Sequence, residues 1–149
     1  MHAAAPTGPE SSPSSIIDPA AYGADPTGAK DSAAAFDAAV AALLALTGNR
    51  TAFDGLVDLG GAVLDLKGGT FTVSRAVAIP AGFCNYRVQR GTLVAGPGFA
   101  AGDFLLRIGS TGPPKKTVAV GATGGANPTH TTENVGVQQL TLTANGVAA

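Results

Sequence analysis

Tryptophan is absent from this 149-residue chain, tyrosine occurs twice, and cysteine and methionine occur once each. A lone Cys84 excludes an internal disulfide and a thiolate metal cluster, so it is expected to be an ordinary buried thiol. Charge is scarce as well: Asp, Glu, Lys and Arg make 13% of the chain and leave a net charge of −1. Charges so few and so balanced lack the basic footprint of a nucleic-acid-binding protein. No apolar run approaches the ~20 residues needed to span a bilayer, and Asp37 interrupts the most apolar window, Ala33 to Leu46. No partner membrane is therefore expected. The opening stretch, Met1-His2-Ala3-Ala4-Ala5-Pro6, has neither a basic region nor an apolar core, so no secretory signal is expected in the sequence as it stands.

What is abundant is small or bends the chain: 21 Gly, 10 Pro and 29 Ala. Few large apolar side chains remain, so the core is expected to be thin or repetitive, with many turns around it. Residues 1–15, rich in Pro and Ser, cannot bury enough surface to offset their ordering entropy and read as a disordered tail. The apolar pair Ile16-Ile17 follows, then Tyr22-Gly23-Ala24-Asp25-Pro26-Thr27-Gly28, where Asp-Pro and Gly supply turn chemistry. The spacing then predicts a helix from Asp31 to Leu46, capped by Asp31 or Ser32. Its apolar stripe is Phe36, Val40, Leu43 and Leu44, and Gly48 is suited to end it.

After Gly60 the period changes to two. Short runs read as strands: 62–66, 70–74, 77–80, 86–88, 91–94, 104–108 and 135–143. Leu66 to Leu93 and Ile79 to Leu106 share a 27-residue spacing, within the range of stacked repeats. Residues 109–134, with Pro113-Pro114-Lys115-Lys116 and Gly124-Gly125, read as a long surface loop. His130 in that stretch reads as exposed polar filler. Val118 to Gly125 has the look of a strand entering a Gly-rich dinucleotide loop, but no helical stripe follows to face a pyrophosphate, so no nucleotide cofactor is expected. Asn49-Arg50-Thr51 is an acceptable glycosylation sequon, which proline denies to Asn127-Pro128-Thr129.

The order of turn, capped helix, Gly-Gly, strand, Gly-Gly, strand resembles the entry to the pectate-lyase-like right-handed β-helix. A closer resemblance is to the plant quartet-type polygalacturonases, which are glycoside hydrolases. It rests on two blocks: Tyr22-Gly23-Ala24-Asp25-Pro26-Thr27-Gly28 with Asp31, and Asp58-Leu59-Gly60-Gly61-Ala62-Val63-Leu64-Asp65-Leu66-Lys67-Gly68-Gly69. The resemblance runs from Ile17 to Ala149 and implies a mostly β, truncated right-handed parallel β-helix with an amino-terminal capping helix. Tyr22, Gly23, Asp25, Gly28, Asp31, Gly60, Gly61, Asp65, Gly68 and Gly69 would be its structural motif residues. It further implies a pectic polysaccharide as partner and an extracellular or cell-wall location. A stack that ends without a second cap would also be open to self-association.

The same resemblance implies that the family's catalytic residues lie on later coils. Its Asn-x-Asp, Asp-Asp, Gly-His-Gly and Arg-x-Lys motifs are all missing from this sequence, so no catalytic residue is assigned here. Asp58 and Asp65 are the remaining candidates for a carboxylate pair, but Asp65 alternates with apolar neighbours in a strand and is expected to face solvent. Asp25 and Asp31 read as turn and cap residues. Arg75, Arg87, Arg90 and Arg107 are candidates to line an anion-binding groove. A shortened, non-enzymatic carbohydrate-binding or structural module is the alternative, although the shortage of aromatics removes the usual sugar platforms. A phage-tail or surface β-helix sharing the entry block is a third reading.

Overall fold

The computed structural model describes residues 15–46, 56–109 and 135–144. These form strands β1 (Ile16–Ile17), β2 (Val57–Asp65), β3 (Thr70–Val73), β4 (Val77–Ile79), β5 (Phe83–Ala95), β6 (Leu106–Ile108) and β7 (Val135–Thr143), with one helix, α1 (Ala33–Leu44). A short 3-10 turn, Pro19–Tyr22, follows β1. The chain is thus mostly β, and the strand pairings described are all parallel. Most of the tail (1–14), the sequon at Asn49, the helix-ending Gly48, His130, the Gly-rich run near 121 and residues 110–134 lie outside the described residues.

β5 organises the larger sheet. One of its edges takes β2 over its first half and β3 over its second, so Val57 pairs with Phe83, Leu64 with Val88 and Phe71 with Leu93. Its other edge takes β7, setting Val88 against Val137 and Leu93 against Leu142. β1 adds to the far side of β2 through Ile16 and Val63, and β4 pairs separately with β6. Parallel pairing places like residues over like, which is why the buried set reads as columns: Ala62 and Tyr86, Leu64 and Val88, Phe71 and Leu93. The 27-residue spacing seen in the sequence does not set this register. Leu93 lies over Phe71 rather than Leu66, and Leu106 over Val77 rather than Ile79.

That correction has a cause in the corners. β5 was expected as two runs, 86–88 and 91–94, yet it continues for 13 residues because non-glycine residues in the left-handed region bend it without ending its pairing. Asn85 (φ 57) and Arg90 (φ 56) are those residues, and Gln139 (φ 49) bends β7 opposite Arg90. Beneath Asn85, β2 carries a bulge between Asp58 and Ala62, where Gly60 and Gly61 take positive φ at no steric cost. Beneath Arg90 the chain spends four residues, Leu66 to Gly69, on the turn that β5 makes at Arg90 and Gly91. Neighbouring strands therefore differ in length at their corners and recover register beyond them. A fixed repeat length fails for that reason.

Helix α1 is shorter than the expected 31–46 and buries Ala33, Phe36, Ala39, Val40 and Leu43, leaving Leu44 partly exposed. Phe36 meets Phe71 edge to face, with centroids 5.3 Å apart and planes at 89°. Such a pair adds about 1 kcal/mol to the burial of its area. The alanines let this face approach the strands closely, and α1 packs against β1, β2 and β4. Its first amides are served by Asp31, whose carboxylate accepts from Ala33 N–H at 3.1 Å. The Ser32 hydroxyl, the other expected cap, turns back to accept from Asp25 N–H instead.

Candidate functional site

The first sequence block lies against Gly69, the end of the second, and against the strand that follows it. The turn after Tyr22 is closed by Asp25, whose carboxylate accepts from Thr27 N–H, the Thr27 hydroxyl and Lys30 N–H at 2.7–2.9 Å. Those bonds, the Thr27 hydroxyl foremost, hold the Asp25 carboxyl below the usual aspartate range. The turn then lies along β3: Thr70 N–H donates to Pro26 O, the Thr72 hydroxyl to Gly28 O, and Ser32 N–H to Thr72 O. Gly69 permits this approach, because a Cβ there would sit 2.7 Å from the Phe71 ring and 3.0 Å from Pro26. Asp31 completes the junction. Its carboxylate accepts from Ser74 N–H at 2.9 Å and the Ser74 hydroxyl at 2.7 Å as well as from Ala33. Partial burial raises its proton affinity, but these bonds outweigh that and hold its carboxyl low.

Asp65 departs from the expectation that it faces solvent: it is 1% exposed. A carboxylate in that position requires partners, and it accepts from Lys67 N–H at 2.9 Å, Gln89 Nε2 at 3.1 Å and Arg90 Nε at 3.1 Å, with a second bond from the other Arg90 nitrogen. Burial would raise its pKa, yet the Arg90 and Lys67 hydrogen bonds, the Gln89 amide and the Arg90 charge bring it below the ordinary aspartate value. Asp65 is a clamp at the corner, joining β2 to the bend of β5. The alternation argument failed because Asp65 ends its strand next to that corner, where the partner strand supplies a cation that the local sequence does not show.

Asp58 has a parallel role at the other corner, accepting from Gly60 N–H at 2.7 Å and from Asn85 Nδ2 at 2.9 Å. The arginines proposed for an anion groove do not form one. Arg75 pairs with Asp37, Arg90 with Asp65 and Arg107 with Asp103, while Arg87 stands exposed on the outer side of β5. Every acidic side chain among the described residues, Asp18, Asp25, Asp31, Asp37, Asp58, Asp65 and Asp103, has a hydrogen-bond or ion-pair partner. No three His, Cys, Asp or Glu among the described residues converge on a metal position.

The interior face of β5 carries Cys84 and Tyr86, both buried. The Tyr86 hydroxyl is fully enclosed with no hydrogen-bond partner among the described residues, and burial raises its pKa far above the usual phenol value. A groove of about 340 Å³ opens beside the far end of the same sheet, lined by Phe99, Phe104, Leu105, Leu142 and Ala144 among others. It is lined mainly by apolar groups and offers the Asp103 carboxylate, already paired with Arg107, as its charged member. No helix among the described residues is long and apolar enough to cross a membrane.

No family model and no solved structure matches the chain. Over 105 residues, 69% of the chain, the sequence is 35% identical to polygalacturonase QRT3 of Arabidopsis thaliana. The matched stretch is 22% of that protein, so the chain spans about a fifth of the length of the curated relative it matches. Joined to the parallel strand pairing and the docking of the first block on β3, this similarity gives the chain a polygalacturonase-like relationship.

Proposed function

We propose that this chain forms the entry and opening coils of a right-handed parallel β-helix in an extracellular protein directed at pectic galacturonan, and that the hydrolytic carboxylates lie outside it. The observation that carries this reading is the 105-residue similarity to a polygalacturonase. The fold supports it: a solenoid buries a narrow stack under tight corners, and the columns beneath β5, with bends at Asn85 and Arg90, have that character. In this reading α1 is the cap that shields the first coil, and Asn49 is a glycosylation acceptor.

The division of labour follows from the acids. Inverting hydrolysis needs one carboxylic acid to protonate the leaving oxygen and a second carboxylate to activate water, about 6.5–9.5 Å apart with room for that water. Asp25, Asp31, Asp58 and Asp65 spend their oxygens on turn amides and on strand-to-strand ties instead. Such carboxylates hold the scaffold on which a site is built.

Two measurements test the reading. The purified chain incubated with polygalacturonate is expected to release no reducing ends, and measurable release would overturn the assignment of the carboxylates elsewhere. A chimaera in which this chain replaces the matched stretch of the Arabidopsis polygalacturonase is expected to hydrolyse polygalacturonate. A folded chimaera without activity would refute the pectin-directed reading and favour a non-enzymatic module.

A further inference from the structure

Among the described residues Arg75, Arg90 and Arg107 are each held by an acid, Asp37, Asp65 and Asp103. Arg87 is the exception. It lies between the buried Tyr86 and Val88, so alternation along β5 turns its side chain to the outer face of the sheet, where it is exposed. Beside it in register are Val63 of β2, with Ile16 of β1 beyond, and Gly136 of β7. Two positions away along β5, the Asn85 and Gln89 amides already serve Asp58 and Asp65 at the corners. No acid is therefore placed opposite Arg87 in the register.

Gly136 gives the arginine its course. A Cβ at Gly136 would touch Arg87 Cγ and Nε, at 3.4 and 3.5 Å, so the arm lies along β7 in the space that a side chain there would take. An arm already laid against the sheet has less freedom to lose when it binds. On the other side, Ile16 is 48% exposed and Val63 half-buried, an apolar strip next to the charge.

We propose that Arg87 is a binding point for the carboxylate of a uronic acid, with Ile16 and Val63 as the bed for the sugar ring. The choice of ligand rests on the pectin-directed reading above. A guanidinium presents a planar fork that matches both oxygens of a carboxylate, whereas a methyl ester offers neither the charge nor the second equivalent oxygen. The place suits a long polymer. The face is lateral, so a further strand joined to the sheet would lie in its plane and extend the face without covering Arg87.

Titration of the isotope-labelled chain with trigalacturonate at low ionic strength, followed by nuclear magnetic resonance, tests this. Saturable shifts are expected at the Arg87 side-chain Nε–H and at the Val63 and Gly136 amides, and the fully methyl-esterified trimer is expected to bind far more weakly. Arg87→Gln is expected to weaken binding about fivefold or more, with Arg87→Lys between the two because it keeps the charge and loses the fork. Gly136→Val fills the arm's place and is expected to weaken binding while the spectrum remains that of a folded chain. Arg75→Gln is expected to leave the affinity unchanged. No saturable binding, equal binding of the ester, or equal losses in the Arg75 and Arg87 variants overturns the site. Full affinity in Gly136→Val overturns the role given to the arm's placement. An active chimaera beside a chain that ignores trigalacturonate overturns the site and leaves the pectin-directed reading standing; an inactive folded chimaera beside Arg87-dependent binding does the reverse.

Discussion

Replacing Asp65 with alanine tests whether a buried carboxylate holds the corner between β2 and β5. Four hydrogen bonds end on its oxygens, from Lys67 N–H, Gln89 Nε2 and two nitrogens of Arg90. Arg90 is 52% exposed and regains water when its partner is removed, so its share of the loss is small. The Lys67 amide and the Gln89 side chain are partly buried and are left as donors without an acceptor. At about 1.5 kcal/mol for each hydrogen bond to a charged acceptor, the loss comes to about 3 kcal/mol. Asp65→Asn is expected to lose nearly as much, since its new amide hydrogens would face the donors of Gln89 and Arg90.

Urea unfolding followed by far-ultraviolet circular dichroism is the assay, with midpoint and slope measured for wild type and variant in the same buffer. The pH dependence gives a second handle. The folded-state pKa of Asp65 lies below its ordinary value of 3.8, so its stabilisation is complete above that value and is lost as pH falls through the lower, folded pKa. The gap between wild type and Asp65→Asn should therefore be constant near neutrality and should shrink as the solution is acidified below that value. Asp31 also has a lowered pKa but titrates in both proteins and cancels in the difference. A neutral-pH loss below about 1 kcal/mol, or a gap that survives strong acid unchanged, would refute the clamp.

Tyr86→Phe deletes a buried hydroxyl that has no partner among the described residues and is expected to raise stability by about 1 kcal/mol in the same unfolding assay; a loss would mean that the hydroxyl is satisfied in solution. Gly91→Ala would put a Cβ 2.4 Å from Leu66 Cβ and 3.0 Å from Gly69 O, so a cost of about 1–3 kcal/mol is expected, and a neutral result would show that the corner can spread. Phe36→Ala removes a ring that is 1% exposed and packed on Phe71; a loss of about 3–5 kcal/mol by thermal or urea unfolding is expected, and a loss under about 1 kcal/mol would mean that the Phe36 ring is not seated on Phe71.

Local grammar was enough to place α1 on its Phe36, Val40 and Leu43 face and to delimit β7. It was also enough to read Asp25 and Asp31 as turn and cap residues, because each bonds to amides within a few positions of itself. What failed depends on partners distant in sequence. Asp65 looked outward by alternation, and only Arg90 and Gln89, brought over it by parallel pairing, make its burial tolerable. β5 looked like two strands because a bend at Arg90 resembles a break when no neighbour is visible. The Arg75, Arg90 and Arg107 set looked like a groove until each was found beside its own acid. Among the described residues much of the sparse charge is held in such pairs or on backbone amides, which leaves little of it to mark a site.

The unequal corners have a bearing on how such a chain tolerates change. Where Leu66 to Gly69 and the shorter Arg90 and Gly91 bend lie against each other, one strand carries extra residues and pairing resumes at Thr70 and Thr92. The same is true of the bulge between Asp58 and Ala62 over Cys84 to Tyr86. Residues can therefore be gained or lost at these positions without shifting the apolar columns on either side. Deletions and insertions that would scramble a two-period strand are absorbed there as a wider or narrower bend, and the interior on either side keeps its register.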